Sequence, residues 1–468
     1  MKKLLARGLL LAGASVLFAA PHASAQIVLL AKGTLTSSRA GANKDLSGLN
    51  NTLENGVPAN LLGGLGSGIT YVSGNTFLAV PDRGPNAVSF NAQVDDTVSY
   101  IARFHTIEMK LERNSTKGGL PFTLSPELRA TTLLHAFLPL DYGSGTAYGL
   151  KSGRPEQNNI FRHYFTGRSD NFDPNHSSQD PLDARFDPES IRVSNDGFTV
   201  FISDEYGPYV YQFLRATGER LRAFRMPDEF FVNSPAPTGD GEIAANTTGR
   251  TPNKGMEGLA ITPNGRTLVG MLQAATIQDA NLGGVAGNLL RFVTIDIASG
   301  RTTHEYAYLL TTGSGVSDIT ALNDHEFLVD ERDGKGLGDG SKAKVKQIFK
   351  IDIDGAVDIQ GMDGLHAATY AVSKSPKPFL DIVTVLTANG ITVDQIPAKL
   401  EGITFGPDVE YQGRTMHTFW VANDNDFLQD FSGPGTNPNQ FFVFGFTDGD
   451  LGGSEYVPQG QRRGPFSW

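Results

Sequence analysis

The sequence predicts an all-β chain folded as a single β-propeller of about six four-stranded blades. Three observations lead there. Helical periodicity is scarce along the 468 residues. A unit of strand, tight turn, strand and acidic corner is legible five times. Glycine accounts for 54 residues, well above the usual level of about 7%, and tight turns are its natural use.

The first unit runs from Gly66 to Val72, turns at Ser73-Gly74-Asn75, continues Thr76 to Val80 and ends in Pro81-Asp82-Arg83-Gly84. The second starts at Pro188-Glu189-Ser190-Ile191, turns at Asn195-Asp196-Gly197 and ends in Ser203-Asp204-Glu205. The third starts at Glu257-Gly258-Leu259, turns at Pro263-Asn264-Gly265 and continues Thr267 to Leu272, with Gln273 at its corner. The fourth starts at Ser317-Asp318-Ile319, turns through Asn323-Asp324 and ends in Asp330-Glu331-Arg332. The fifth starts at Glu401-Gly402-Ile403 and, after a longer connection, ends in Asn423-Asp424-Asn425-Asp426. Asn-Gly and Asp-Gly supply the positive φ that hairpin turns need. Further strand signals follow the third and fourth units, at Leu289 to Ile297 and Lys346 to Ile353. Four strands per repeated unit is the mark of a propeller blade.

Spacing sets the expected blade number. The unit starts lie 68, 61 and 83 residues apart from Glu189 to Glu401, but Gly68 to Glu189 spans 121. That interval has room for two blades, or for one blade with an insertion, so six is expected and five or seven also agree with the spacing. Residues 141–187 are rich in Gly, Asn, Asp and Ser and read as a loop insertion. A pair of β-sandwiches is the competing architecture, but it gives no reason for the same acidic corner to recur.

Residues Met1 to Ala25 read as a secretory signal peptide. Lys2, Lys3 and Arg7 precede an apolar run, and Ala23-Ser24-Ala25 forms a small-residue cleavage site. The apolar run is too short to span a bilayer. The expected location is therefore the periplasm or the cell exterior, with residues 26–468 as one domain. Removing those three cations from the 39 Lys+Arg leaves 36 against 50 Asp+Glu. Such an acidic balance argues against a nucleic-acid or anionic-lipid partner. The absence of cysteine excludes disulfides, thiolate zinc sites and cysteine nucleophiles.

In a propeller, the start of each inner strand and the corner after the next strand converge on one face of the channel. The strand starts carry Glu189, Glu257, Asp318 and Glu401. The corners carry Asp82, Asp204, Glu205, Asp330, Glu331, Asp424 and Asp426. Carboxylates gathered in this way repel one another unless a cation lies between them. Oxygen ligands on irregular loops suit Ca²⁺; Mg²⁺ and Zn²⁺ fit less well. Taken singly, an acid beside a glycine can equally cap a turn; repetition at matched positions is what favours a shared site. Arg83, Lys254 and Arg332 are interleaved with the acids and, with Asn86, suit a small anionic substrate such as a phosphoester. Nucleophile-elbow and zincin motifs are absent, and the His residues are scattered.

Asp82-Arg83-Gly84-Pro85-Asn86, Asp187-Pro188-Glu189-Ser190-Ile191 and Asn253-Lys254-Gly255-Met256-Glu257-Gly258 resemble the phytase-like domain family, described by the "esterase-like activity of phytase". Glu401-Gly402-Ile403 and Asn423-Asp424-Asn425-Asp426-Phe427 complete the resemblance, which covers about Leu61 to Phe446. It implies a secreted bacterial protein whose acids carry phosphoesterase or esterase activity. The expected function is thus Ca²⁺-dependent hydrolysis of phosphoesters. Glu189, Glu257, Glu401, Asp204 and Glu205 are the candidate catalytic groups. The expected metal ligands are Asp82, Glu189, Glu257, Asp318, Asp330, Glu331, Glu401, Asp424 and Asp426. A Ca²⁺-dependent lactonase or carboxylic esterase, and a non-catalytic ligand-binding propeller, are the alternatives.

Overall fold

The computed structural model describes residues 27–207, 209–428 and 437–460. The signal peptide expected at Met1 to Ala25 lies outside the described residues. The chain forms five antiparallel blades, four of them four-stranded and the fourth in order five-stranded, with Leu380–Asp381 pairing its third strand as well. Blade 1 holds β2 (Gly68–Ser73), β3 (Thr76–Val80), β4 (Arg103–Arg113) and β5 (Phe122–Leu133). Blade 2 holds β6 (Pro188–Val193), β7 (Thr199–Asp204), β8 (Tyr209–Leu214) and β9 (Arg220–Arg225). Blade 3 holds β10 (Met256–Ile261), β11 (Thr267–Leu272), β12 (Leu289–Asp296) and β13 (Arg301–Leu309). Blade 4 holds β14 (Gly315–Ala321), β15 (Glu326–Arg332), β16 (Lys346–Asp352) and the short β17 (Ser373–Lys374). Blade 5 holds β18 (Lys399–Tyr411), β19 (Arg414–Asp424) and β20 (Asn439–Phe446). Its outermost strand is β1 (Val28–Leu35), which pairs antiparallel with β20 from Val28↔Gly445 to Leu35↔Asn439.

The blade number is five, within the range of five to seven that the spacing allowed and one below its main expectation of six. Each of the five repeats supplies the inner hairpin of one blade. The long interval before Glu189 contains only one blade, because β4 and β5 are 11 and 12 residues long. Residues 134–187 then leave the ring as an excursion, with Phe165 and Phe186 packed against Tyr211 and Phe213 of β8. The ring closes through its innermost strands: β2, β6, β10, β14 and β18 each touch the next, and β18 touches β2. Apolar faces of successive blades interdigitate, as where Phe77 of blade 1 meets Trp420 of blade 5 at 4.5 Å between ring centroids. A propeller without cysteine is held by such burial.

Inner strands share one irregularity. In blades 2 to 5 the pairs Ile191↔Ile202, Leu259↔Gly270, Ile319↔Val329 and Ile403↔Val421 are in register, but the ladder slips just ahead of them, directly before Ile191, Gly258, Ile319 and Ile403. A β-bulge adds an unpaired residue and re-aims its side chain. The bulged acids Glu189, Glu257 and Glu401 are thereby turned toward the axis. The residue before the in-register isoleucine is glycine where inner strands touch most closely, in blades 1 and 5. A Cβ on Gly68 would lie 2.7 Å from Ser190 Cα, and one on Gly402 would lie 2.9 Å from the Ile69 nitrogen.

On the axis itself lies a fully buried ion pair, Arg192–Asp318, with Nη2 and Oδ2 2.8 Å apart. Asp318 accepts hydrogen bonds from Ser190 Oγ (2.9 Å) and from the backbone N–H groups of Leu259 (3.3 Å), Ile319 (2.8 Å) and Ile403 (3.0 Å). Arg192 donates to the carbonyls of Ile69, Ile191, Ile319 and Ile403. The pair therefore bonds all five blades. Asp318, expected among the metal ligands, is corrected to this role: both its oxygens are already committed to protein donors. Removing one partner of a buried pair leaves an uncompensated charge and costs about 3–5 kcal/mol. Asp318→Ala should lower the unfolding free energy by about that amount, measured by denaturant titration. A loss below about 1 kcal/mol would show that the ring does not depend on the pair.

Candidate functional site

At one end of the axis the five blades enclose a cavity of about 220 Å³. Two rings of side chains build it. Two residues before each in-register inner position, counting Ile69↔Ala79 for blade 1, stand Ser67, Glu189, Glu257, Ser317 and Glu401. Three residues after each partner stand Asp82, Glu205, Gln273, Arg332 and Asp424. All of these except Ser67 line the cavity. Blades 2 to 5 thus each deliver one group from the bulge and one from the corner, and blade 1 delivers Asp82 from its corner.

This register sorts the expected residues. Glu189, Glu257, Glu401, Asp82, Glu205, Asp424, Arg83, Lys254 and Arg332 are brought together around the cavity. Asp204, Asp318, Asp330 and Glu331 do not line it; Asp204, Asp318 and Glu331 each adjoin a residue that does, and successive residues of a strand face opposite ways. Asp204, expected to be catalytic, instead accepts the backbone N–H groups of Asp187, Tyr206 and Gly207. Glu331 is taken by Tyr308, Lys374 and the N–H groups of Thr311, Thr312 and Gly313, away from the axis. Asp330 is fully buried behind Ser317. Burial pushes its carboxyl well above the ordinary range, and neither oxygen has a hydrogen-bond partner among the described residues. Asn86 lines a neighbouring cavity.

Sequence reasoning missed Ser317, Asp187 and Lys399. Aligning Ser317-Asp318-Ile319-Thr320 with Glu401-Gly402-Ile403-Thr404 by the Ile-Thr pair would have put Ser317, not Asp318, beside Glu401. Asp187 is placed by its neighbour Phe186, which is buried in blade 2. Lys399 opens β18 opposite Asp424.

Two carboxylate triads flank the cavity, each with one oxygen per residue within 4.8 Å of the others: Asp187, Glu189 and Glu205; and Asp82, Asp424 and Asp426. A cation is bonded into each. Arg83 pairs with Asp187 through its guanidinium and donates its backbone N–H to Asp187 Oδ1 at 3.0 Å. The Lys399 ammonium lies 2.9 Å from Asp424 and 2.5 Å from Asp426. Arg332 pairs with Glu401 and bonds Ser317 Oγ at 2.5 Å. Lys254 has no ion-pair partner among the described residues; a tight turn with Asn253 at φ +53° presents it.

These cations do not neutralise the cluster. Six carboxylates and four cationic side chains line the cavity, and Asp187 and Asp426 lie just behind. Burial and then Glu257, Asp187, Glu205 and Glu401 push Glu189 well above the ordinary carboxylate range. Burial and then Glu205 and Glu401 do the same to Glu257, whose Oε2 is buried with no hydrogen-bond partner among the described residues. Burial and Asp187 raise Glu205 to about 8, against the pull of Arg83. Burial raises Glu401 to about 7, opposed by Arg332 and Lys399. Asp424 alone is held low: Lys399 and the Asp426 N–H outweigh its burial. An oxygen-only donor set of buried, mutually repelling carboxylates fits a hard divalent cation.

Among known proteins, a segment of 147 residues is 35% identical to an uncharacterized secreted protein of Arthroderma benhamiae, covering 27% of each chain. The chain thus spans about a quarter of that relative's length. The periplasmic gluconolactonase of Pseudomonas aeruginosa overlaps 88% of this chain and 98% of its own, with 12% identity and a TM-score of 0.34. Hydrazine synthase of Kuenenia stuttgartiensis overlaps 81% and 80%, with 11% identity and a TM-score of 0.30. Overlap at that level says nothing about activity. A family model matches residues 60–427, from the start of blade 1 to the acidic corner of blade 5, and the chain belongs to the phytase-like family, described by the esterase-like activity of phytase.

Proposed function

We propose that the axial cavity is the active site of an exported, Ca²⁺-dependent phosphoester hydrolase. The observation that carries this reading is the Lys254 ammonium, without an ion-pair partner among the described residues, lining the same cavity as an under-neutralised carboxylate cluster. Glu189, Glu205 and Glu257, with Asp187 behind them, would hold the ion. Bound there, Ca²⁺ supplies charge for a phosphoryl oxygen and acidifies a water. Lys254 and the outward face of Arg332 bind the remaining phosphoryl oxygens. Glu401, at about 7, accepts a proton near neutral pH, the range in which a general base is most effective. Membership of the phytase-like family supports ester hydrolysis. Export is supported by the expected signal peptide and by the secreted description of the Arthroderma relative. Among the described residues, no helix is long and apolar enough to cross a membrane.

Calcium should stimulate release of phosphate from aryl phosphates or phytate, and EDTA should abolish it. Glu257→Gln should reduce that activity by at least about 100-fold while the circular dichroism stays unchanged. Turnover of lactones or carboxylic esters without phosphate release would favour the alternative esterase. Calcium binding without turnover on either panel would leave a ligand-binding propeller.

Stability offers a second test. Glu205 and Glu401 bind protons more tightly folded than unfolded, so their ionisation destabilises the fold. The penalty is complete above about pH 8 and falls as pH drops through 8 and 7 toward the unfolded value of 4.5. In EDTA the melting temperature should therefore be higher at neutral pH than at mildly alkaline pH. Glu205→Gln should flatten that slope, and saturating calcium should do the same. A slope unchanged by either would overturn the repulsion on which this site rests.

A further inference from the structure

A second cavity of about 190 Å³ lies on the other side of Arg83 and shares Arg83 and Asn253 with the first. Arg185 lies in its wall, only 3% exposed. It is held between the Phe172 and Tyr206 rings, 4.7 and 5.3 Å from their centroids. Its Nη1 makes only long contacts, 3.4 Å to Glu242 Oε1 and 3.5 Å to the carbonyls of Ser169 and Ala236. Its Nη2 is buried with no hydrogen-bond partner among the described residues. A buried guanidinium N–H without an acceptor is costly, so this cavity is short of an anion. Its own acids fill the role only in part, Glu242 reaching Arg185 Nη1 at 3.4 Å but not Nη2. Glu242 is engaged by Arg250 at 2.6 and 3.1 Å, and Asp95 accepts the Gly239 N–H at 2.7 Å. Three guanidinium groups, of Arg83, Arg185 and Arg250, line the cavity against those two carboxylates. On its first-cavity side, Arg83 is bonded through Nη1 and its backbone N–H; its Nε and Nη2 form no hydrogen bond among the described residues. Asn86 adds an amide at the cavity wall.

We propose that this cavity is a second anion subsite, in which Arg185, Arg83 and Asn86 hold a phosphate or carboxylate group. The substrate then carries two anionic groups, one in each cavity with Arg83 between them. The identification with substrate rests on the reading of the first cavity; the anion site itself does not.

Titration calorimetry with inorganic phosphate separates the two. In EDTA the first cavity repels anions, so one phosphate per chain should bind, at the second cavity. Arg185→Met should abolish it. Asn86→Asp, isosteric and on a half-buried turn, should weaken it by about tenfold or more through charge repulsion. No binding in EDTA, or binding that both variants leave intact, overturns the subsite. If Arg185→Met does not fold, Asn86→Asp decides. Adding calcium, at levels too low to precipitate phosphate, should bring a second equivalent. Its absence counts against the first-cavity reading while the Arg185 site stands. In turnover, Arg185→Met should raise KM for a phosphoester bearing a second phosphate or carboxylate about tenfold with kcat little changed. An unchanged KM would detach the subsite from the substrate.

Discussion

Five inner strands meeting on one axis create a problem that the Arg192–Asp318 pair solves. At that depth the backbone N–H and C=O groups that face the channel cannot reach water, and leaving them unpaired is expensive. One carboxylate and one guanidinium between them bond to backbone groups of all five blades. The pair acts as a hub and also as a plug, closing the channel one residue below the bulges. Everything chemical in the molecule stands on it. The bulged residues Glu189, Glu257 and Glu401 lie immediately above, and their spacing is set by how closely the inner strands approach the hub.

The site above the hub works against the fold that carries it. Buried carboxylates that push one another's proton affinity upward are a stored repulsion, and Arg83, Lys399 and Arg332 offset only part of it. Position and stability are therefore divided between different layers of the axis: a satisfied ion pair below, an unsatisfied cluster above. The chain tolerates the upper layer because apolar contacts between blades, such as Phe77 on Trp420, extend right round the ring.

The repeats, the propeller class and the bulged acids were legible because they depend on local patterns. Glu-Gly-apolar marks the inner strand, where glycine is needed for strand contact and the acid for the channel. Register was harder to read. In blade 4 the acid falls one residue late, so Asp318 looks like a member of the ring although Ser317 holds that place. At the corners, Asp204 beside Glu205 and Glu331 beside Arg332 present two polar neighbours, of which only one faces the cavity; the pleat decides, and composition does not reveal it. Lys399 and Asp187 escaped notice because neither belongs to a repeated position. The blade number also depended on something nonlocal: β1 completes blade 5 across almost the entire chain.

That last pairing has a kinetic meaning. Val28 meets Gly445 only when both ends of the domain are available. Blades 1 to 4 can assemble as local hairpins, but the ring stays open, with the edge of β1 exposed, until β20 has formed. Closing so long a loop is entropically slow, and an open strand edge is a template for pairing with other chains. The molecule is therefore vulnerable until the ring closes, and pairing of the eight residues of β1, remote from any chemistry, with β20 ends that period.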